Sequence, residues 1–219
     1  MTFGDITPNE DFVYSTIQLL TSGGATAKVT VDGLGTVEAI FTYWTADDGA
    51  VAGAGWYLEA DDEARYNQNS RVIPFGSAYC VNREADETTA SLTYAGEVQT
   101  TPVTKQLGAK FNYIGNCCPK DVTFGDITPN EDFVYSTIQL LTSGGATAKV
   151  TVDGLGTVEA IFTYWTADDG AVAGAGWYLE ADDEARYNQN SRVITAGSAF
   201  CVNRETDETD ATITLPKAL

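Results

Sequence analysis

Apolar and polar residues alternate in short runs along the first part of the chain, and glycine, aspartate and asparagine separate these runs. In residues 36–44 (TVEAIFTYW), every second residue from Val37 to Tyr43 is apolar and falls on one side of an extended strand. The dipeptide Asp32-Gly33 precedes this run and predicts a hairpin with residues 27–31. Further strands are predicted at residues 12–20, 56–58, 70–73, 77–82 and 89–94. No segment has convincing helical periodicity, so we expect an all-β fold of the β-sandwich or jelly-roll type.

This pattern occurs twice, because residues 2–73 recur letter for letter at residues 123–194. Beyond these ranges the copies differ mildly, and Tyr79, for example, corresponds to Phe200. The drift favours a natural duplication over an engineered one, and the sequence alone leaves both open. We therefore predict two tandem β-sandwich or jelly-roll-like modules. Their bounds are residues 1–96 and 123–219, and residues 97–122 form a connecting segment with a strand.

One segment, residues 94–122, occurs only once in the chain. Its run Lys110–Ile114 alternates polar and apolar residues and predicts a half-buried strand. The candidate assembly residues on this strand are Phe111, Tyr113 and Ile114. If each module needs such a strand, one copy has an unpaired sheet edge or borrows a strand from another molecule. The alternative is a linker between two self-sufficient modules, and the sequence does not decide which of the two copies the strand serves.

The chain is strongly acidic: 12 Lys and Arg residues stand against 31 Asp and Glu residues, a formal charge of −19. Nucleic acid and anionic membrane surfaces are excluded as partners, since both require a basic surface. Histidine is absent, which removes the commonest general base and the commonest metal ligand. No run approaches the roughly 20 apolar residues of a membrane helix, so no insertion into a membrane is expected.

Four cysteines are candidates for disulfide bonds. Cys80 and Cys201 occupy equivalent positions in the two copies, and Cys117 and Cys118 are adjacent in the segment that occurs once. Their spacing matches no zinc site. Because a bond between adjacent cysteines is strained, we predict that Cys117 and Cys118 bond separately to Cys80 and Cys201 in an oxidising compartment. The alternative is four reduced thiols that are merely packed.

Two short motifs resemble strands of the tandem-repeat β-sandwich modules found in secreted bacterial surface proteins. The run GAKFNYIGN at residues 108–116 is similar to their G-x-N-x-x-G-N strand, and residues 197–202 are similar to the G-x-x-F-x-V strand that follows. The resemblance covers residues 107–215 and contains no catalytic residue. It implies a repeated module that is secreted or displayed on a surface. The chain departs from the pattern at Cys117-Cys118, so the disulfide prediction does not rest on the resemblance.

Acidic loops in each copy suggest two kinds of chemistry. Glycoside hydrolysis needs a pair of carboxylates, but these acids lie in solvated runs without the burial that raises a carboxyl pKa, so we expect no enzyme. Calcium binds about six to eight oxygen ligands and is the one candidate cofactor. Its candidate ligands are the paired aspartates of the loops, together with two nearby asparagines of the first copy: Asp47, Asp48, Asp61, Asp62, Asp168, Asp169, Asp182, Asp183, Asn67 and Asn69.

Aromatic residues beside these loops could form a flat sugar-binding platform, but packing in the core is the favoured alternative, because buried tryptophans are commoner than exposed ones in such folds. They are Trp44, Trp56, Tyr57 and their equivalents Trp165, Trp177 and Tyr178. The sequence as a whole predicts a non-enzymatic protein of the cell surface or exterior, a subunit or repeat of a filament, stalk or surface layer. Its expected partner is itself, through shared strands. The alternative is an adhesin module that binds a carbohydrate or a host surface.

Overall fold

The structure is a computed structural model. It describes residues 1–9, 12, 15–21, 23–46, 51–59, 64–82, 91–95, 99–116, 119–130, 133, 136–167, 172–180, 185–204 and 210–217, with the backbone alone at residues 59 and 180. The all-β prediction is confirmed, because the described elements are antiparallel strands and two 3₁₀ turns, Phe3–Asp5 and Phe124–Asp126. Within these ranges, the structure contains no helix with the length and apolarity needed to span a membrane.

Residue contacts divide the chain into two compact units, residues 1–21 with 25–97 and residues 22–24 with 98–219. The strands of the first unit are β1 (Ile6–Pro8), β2 (Thr16–Leu19), β3 (Lys28–Val31), β4 (Gly35–Glu38), β5 (Ile40–Trp44), β6 (Gly55–Glu59), β7 (Arg65–Asn67), β8 (Tyr79–Asn82) and β9 (Leu92–Tyr94). Five of them form a sheet in the order β7-β6-β5-β2-β8. The pairs β3–β4 and β1–β9 form two smaller sheets.

The second unit contains thirteen strands among its described residues. They are β10 (Val103–Gln106), β11 (Lys110–Gly115), β12 (Val122–Thr123), β13 (Thr128–Pro129), β14 (Thr137–Leu140), β15 (Lys149–Val152), β16 (Gly156–Glu159), β17 (Ile161–Trp165), β18 (Gly176–Glu180), β19 (Arg186–Asn188), β20 (Val193–Ile194), β21 (Ala199–Arg204) and β22 (Thr212–Leu215). The larger sheet has the order β11-β21-β14-β17-β18-β19, and a three-stranded sheet has the order β10-β22-β13. Two-stranded sheets are formed by β12 with β20 and by β15 with β16.

The continuous strand predicted at residues 36–44 is wrong, because the chain forms β4 and β5 there with a break at Ala39. Ala39 is fully buried, and its N–H donates to the Ala27 carbonyl at 2.8 Å. Its own carbonyl accepts from the Leu19 N–H at 3.0 Å. This break lets β4 pair with β3 in a hairpin while β5 joins the larger sheet beside β2. The predicted turn after Asp32 is present, and Gly33 has the positive φ of 84° that such a turn requires.

Each unit has an aromatic core built around one tryptophan. Trp56 is fully buried and lies against Phe3 and Phe12. Its indole N–H donates to the Ile6 carbonyl at 2.9 Å, which satisfies both polar groups inside the core. Trp177, in the second unit, makes the same bond with the corresponding isoleucine carbonyl at 3.0 Å. Identical sequences thus give the same core, and the two units differ elsewhere.

Candidate functional site

The two units differ at the edge of the larger sheet. Among the described strands, β8 ends the sheet of the first unit and pairs with β2 alone. The equivalent strand of the second unit, β21, pairs with β14 on one side and with β11 on the other. Strand β11 belongs to the segment that occurs once in the sequence, and its residues Lys110–Gly115 run antiparallel to Ala199–Arg204.

A second strand of the same segment extends the smaller sheet. Strand β10 pairs with β22 along four residues, and β22 also pairs with β13. In the first unit, β9 pairs with β1, and the described residues provide no strand on its other side. Strands β10 and β11 therefore extend two sheets of the second unit, whereas among the described residues no further strand pairs with β8 or β9, which form the open edges of the first unit.

On strand β11, the burial of the side chains does not follow the apolar pattern of the sequence. Of the three candidate assembly residues, Ile114 is 4% exposed and lies opposite Phe200. Phe111 is 45% exposed, and Tyr113 is half-buried on the same face as Phe111. The residue between them, Asn112, is the buried one. The buried side chains of β11 are thus those of Asn112 and Ile114.

Two buried polar side chains hold the turn between β10 and β11. Asn112 accepts a hydrogen bond from the Gly108 N–H at 2.7 Å and donates to the Gly108 carbonyl at 2.9 Å. Arg204 extends from the neighbouring strand and donates to the carbonyls of Leu107 at 2.9 Å and Gly108 at 3.3 Å. Lys110 has φ = 64°, so this turn uses a left-handed residue that is not glycine. These bonds fix the direction in which β11 leaves the turn.

The amide of Asn116 fastens the other end of β11. Its side-chain N–H groups donate to the carbonyls of Ile194 at 3.1 Å and Thr195 at 3.0 Å. Its backbone N–H donates to the Ser198 carbonyl at 2.7 Å. Asn116 is 6% exposed, so these bonds are formed away from water, where leaving them unmade is costly.

Residues that differ between the two copies lie at these same edges. Phe200 is buried opposite Ile114, and Leu215 is buried opposite Val103. The equivalent residues of the first unit are tyrosines, Tyr79 and Tyr94, and the Tyr79 hydroxyl donates a hydrogen bond to the Tyr94 hydroxyl. Their rings lie 6.3 Å apart, and Tyr94 is 43% exposed. Two buried apolar residues that lie opposite β11 and β10 in the second unit thus correspond to two hydrogen-bonded tyrosines in the first.

The two equivalent cysteines also differ in exposure. Cys80 on β8 is exposed, whereas Cys201 on β21 lies opposite Tyr113 and is buried. Burial raises the pKa of the Cys201 thiol, against a smaller opposing effect of a hydrogen bond from the Asn112 backbone. Both thiols are free, so the structure shows no disulfide at either residue. Cys117 and Cys118 lie outside the described residues, and the disulfide pairing stays a prediction.

The other candidate residues are placed as follows. Trp56 and Trp177 are fully buried and Tyr57 and Tyr178 are 3% exposed, as the core-packing alternative requires, so these four rings cannot form an accessible sugar platform. Trp44 and Trp165 are half-buried. The guanidinium carbon of Arg65 lies 3.7 Å from the centroid of the Trp44 ring, and that of Arg186 lies 3.5 Å from the centroid of the Trp165 ring, so a cation covers one face of each ring.

The eight aspartates predicted to bind calcium all lie outside the described residues. Within the part of the chain that the structure describes, no three His, Cys, Asp or Glu residues come together as metal ligands. The calcium site therefore stays a prediction.

Comparisons with known proteins give no match to this chain among protein-family models, curated proteins or solved structures. The resemblance to secreted surface modules therefore stays a prediction that rests on its two motifs.

Proposed function

We propose that this chain is a non-enzymatic structural protein of the cell exterior, a repeat of a filament, stalk or surface layer whose copies join by strand addition. The observation that supports this proposal is the open edge at β8. The equivalent strand β21 is an interior strand of its sheet, covered along six residues by β11. An edge strand presents unpaired backbone N–H and C=O groups that readily accept a strand of another chain. The partner that we propose is a second copy of this chain.

The amino-acid sequence of β8 differs from that of β11, the strand at the corresponding edge of the larger sheet in the second unit. Strand β11 ends the sheet of the second unit and carries Lys110, a residue type that protects exposed edges against pairing. Strand β8 carries Cys80, Val81 and Asn82, the same residues that occupy the interior strand β21. The first unit thus presents at its edge the sequence of a strand that has two neighbours in the second unit.

Charge is consistent with strand addition in a protein outside the cell. The chain as a whole carries a formal charge of −19, whereas residues 98–116 contain Lys105, Lys110 and no acidic residue. A strand of this composition is attracted to the acidic remainder of the chain. High net charge also keeps an exported protein soluble until specific pairing occurs.

Sedimentation velocity over a wide range of protein concentration, followed by negative-stain microscopy, tests the proposal. Reducing buffer is required so that Cys80 cannot join two chains by a disulfide. We expect wild-type protein to associate as its concentration rises. A Cys80→Lys variant should remain monomeric, because a lysine on an edge strand opposes pairing and an exposed position tolerates it.

Phe111→Lys provides a matched control, since it introduces the same charge at an exposed position on the edge strand β11. Association should persist in this variant. A wild-type chain that stays monomeric at every concentration contradicts the proposed function. If Phe111→Lys lost association while Cys80→Lys retained it, the contact between copies would lie at β11. That result would contradict the proposed role of β8.

A further inference from the structure

We infer that strand β8 pairs with β8 of a second copy, antiparallel and about a two-fold axis that passes between the two Cys80 residues. This inference rests on the proposed function and deepens it, because it names the strand that covers the open edge. It follows from three properties of β8: the direction of its backbone groups, its lack of charge and the order of its side chains.

The outer edge of β8 is oriented to receive a strand. The Ala78 carbonyl accepts a hydrogen bond from the Leu20 N–H at 3.2 Å, so Ala78 faces β2. Because alternate residues of an antiparallel strand face opposite neighbours, Val81 directs its N–H and C=O away from β2. The equivalent residue of the second unit, Val202, lies opposite Asn112 of β11, so a neighbouring strand fits at the equivalent edge.

Strands β10 and β11 of another copy are poorly suited to cover this edge. They are already paired with β22 and β21 of their own unit. Their transfer to a second copy would open one edge for every edge that it closes, so no backbone pairing would be gained. The occupant of the β8 edge is therefore a strand that has an open edge of its own.

Charge distinguishes β8 from the other edge strands of the two larger sheets. Among the described strands, these edges are β7, β8, β11 and β19. Three of them contain a cationic residue: Arg65 in β7, Lys110 in β11 and Arg186 in β19. Charged side chains on an edge strand oppose pairing, whereas β8 (YCVN) has none. Since each chain carries a formal charge of −19, two uncharged strands allow copies to meet without adding repulsion at the contact itself.

The order of the side chains selects one register for two β8 strands. Tyr79 and Val81 pack against the hydrophobic cluster on one face, and Cys80 and Asn82 are exposed on the other. In the register centred on Cys80, Tyr79 of each strand lies opposite Val81 of the other. An aromatic and a β-branched residue pair favourably across strands. A shift by two residues in either direction would instead pair Tyr79 with itself or Val81 with itself, and the other apolar residue would lose its apolar partner.

The same register places the two Cys80 residues directly opposite each other on the exposed face. They form a pair without backbone hydrogen bonds, in which the Cα atoms lie about 4.5 Å apart, and a disulfide spans about 4.4–6.8 Å. Pairing uses backbone groups, so it leaves the hydrogen bond between the hydroxyls of Tyr79 and Tyr94 in place. A two-fold contact closes on itself, so β8 joins chains in pairs, and the pair is the unit that a filament or layer repeats.

Oxidative cross-linking of the full chain measures which residues meet. Wild-type protein is incubated with glutathione disulfide, and a non-reducing tryptic digest identifies each cross-link. Two Cys80 thiols lose two protons and two electrons to form one S–S bond, and glutathione disulfide accepts them to give two glutathione thiols. The product that reports β8 pairing is a disulfide-linked dimer of residues 72–83 (VIPFGSAYCVNR).

We expect this product to form in the wild type, and to form faster as salt is raised, because ions screen the repulsion between two acidic chains. Cys80→Ser combined with Asn82→Cys is the matched control, since it moves the thiol by two residues along the same exposed face. In the register centred on Cys80, the two residues at position 82 are four residues apart along the strands, about 13 Å, which a disulfide cannot span. The initial rate of cross-linking should be at least about tenfold lower in this control, because the pairing no longer holds the two thiols together.

The outcomes separate this inference from the proposed function. If the wild type associates in reducing buffer and Cys80 links no faster than the thiol of the control, the inference is overturned, while strand addition at β8 stands. A link from Cys80 mainly to residues 111–120 (FNYIGNCCPK) would place another segment beside β8 and would overturn the inference as well. If the wild type stays monomeric at every concentration, the inference and the proposed function fail together.

Discussion

Truncation of Ile114 to alanine tests directly whether β11 shields the second unit. Ile114 is 4% exposed and is the apolar residue by which β11 packs on its inner face opposite Phe200. Removal of a buried isoleucine side chain to alanine commonly costs several kcal/mol, and about 2–3 kcal/mol is expected at an edge strand, where neighbours relax more easily. Since about 1.4 kcal/mol corresponds to a factor of ten, the population in which β11 is detached should rise about 30- to 140-fold.

Cys201 reports this detachment, because its thiol is buried under β11 and reacts when the strand opens. The assay is pulsed thiol labelling of the native chain, quantified on the tryptic peptide of residues 193–204, with Cys80 as the reference for an exposed thiol. Phe111→Ala is the matched control: it shortens a side chain that is 45% exposed on the same strand, so a change of about twofold is expected. Equal effects of the two substitutions, or no acceleration in Ile114→Ala, would refute this account of the covered edge.

Two further predictions concern the tryptophan cores and the 3₁₀ turn Phe3–Asp5. Replacement of Trp177 by Phe removes the indole N–H that satisfies a buried carbonyl and should lower the free energy of unfolding by about 1–3 kcal/mol. Trp56→Phe should lower the free energy of unfolding of the first unit by the same amount, measured by denaturant titration. A clear difference between the two losses would mean that the two cores are not equivalent. Hydrogen bonds from the Thr2 backbone N–H and hydroxyl hold the pKa of Asp5 below its usual range, so Asp5 stabilises the fold above about pH 3.9. This contribution is lost as the pH falls through the lower folded-state pKa, so the melting temperatures of wild type and Asp5→Asn should converge in acid and differ at neutral pH.

The repeat and its turns could be predicted from the sequence because they depend on local signals. Asp32-Gly33 predicted the hairpin, and the alternation at Lys110–Ile114 predicted the strand β11. The break at Ala39 could not be predicted, because alternation continues through it and the pattern does not tell which sheet each half joins. Strand β10 was missed because Val103 is the one apolar residue in it, so the strand has no visible apolar period.

The inner face of β11 shows why pattern alone misassigned its burial. Phe111 and Tyr113 are the large apolar residues and were expected to mediate assembly together with Ile114. The buried position between them belongs to Asn112, because its amide satisfies the backbone of the turn next to it. The sequence did contain a signal for the site, namely the replacement of Tyr79 by Phe200. Tyrosine and phenylalanine both favour strands, so the replacement alone does not identify the site. Its significance depends on whether a neighbouring strand covers that position.

Hydrogen exchange of β8 and β21 distinguishes the open edge from the covered one without any substitution. The two strands share Cys, Val and Asn and pair with identical inner neighbours, so local sequence effects on exchange nearly cancel. In an antiparallel pair alternate residues bond to a given neighbour, so about three amides of β21 should be protected by β11 and have no protected counterpart in the first unit. Mass spectrometry of peptides that span the two strands should show this difference in dilute protein. The difference should shrink as the concentration rises, because a strand of another copy then covers β8. Equal protection at every dilution would contradict the open edge, and a difference that never shrinks would contradict pairing between copies.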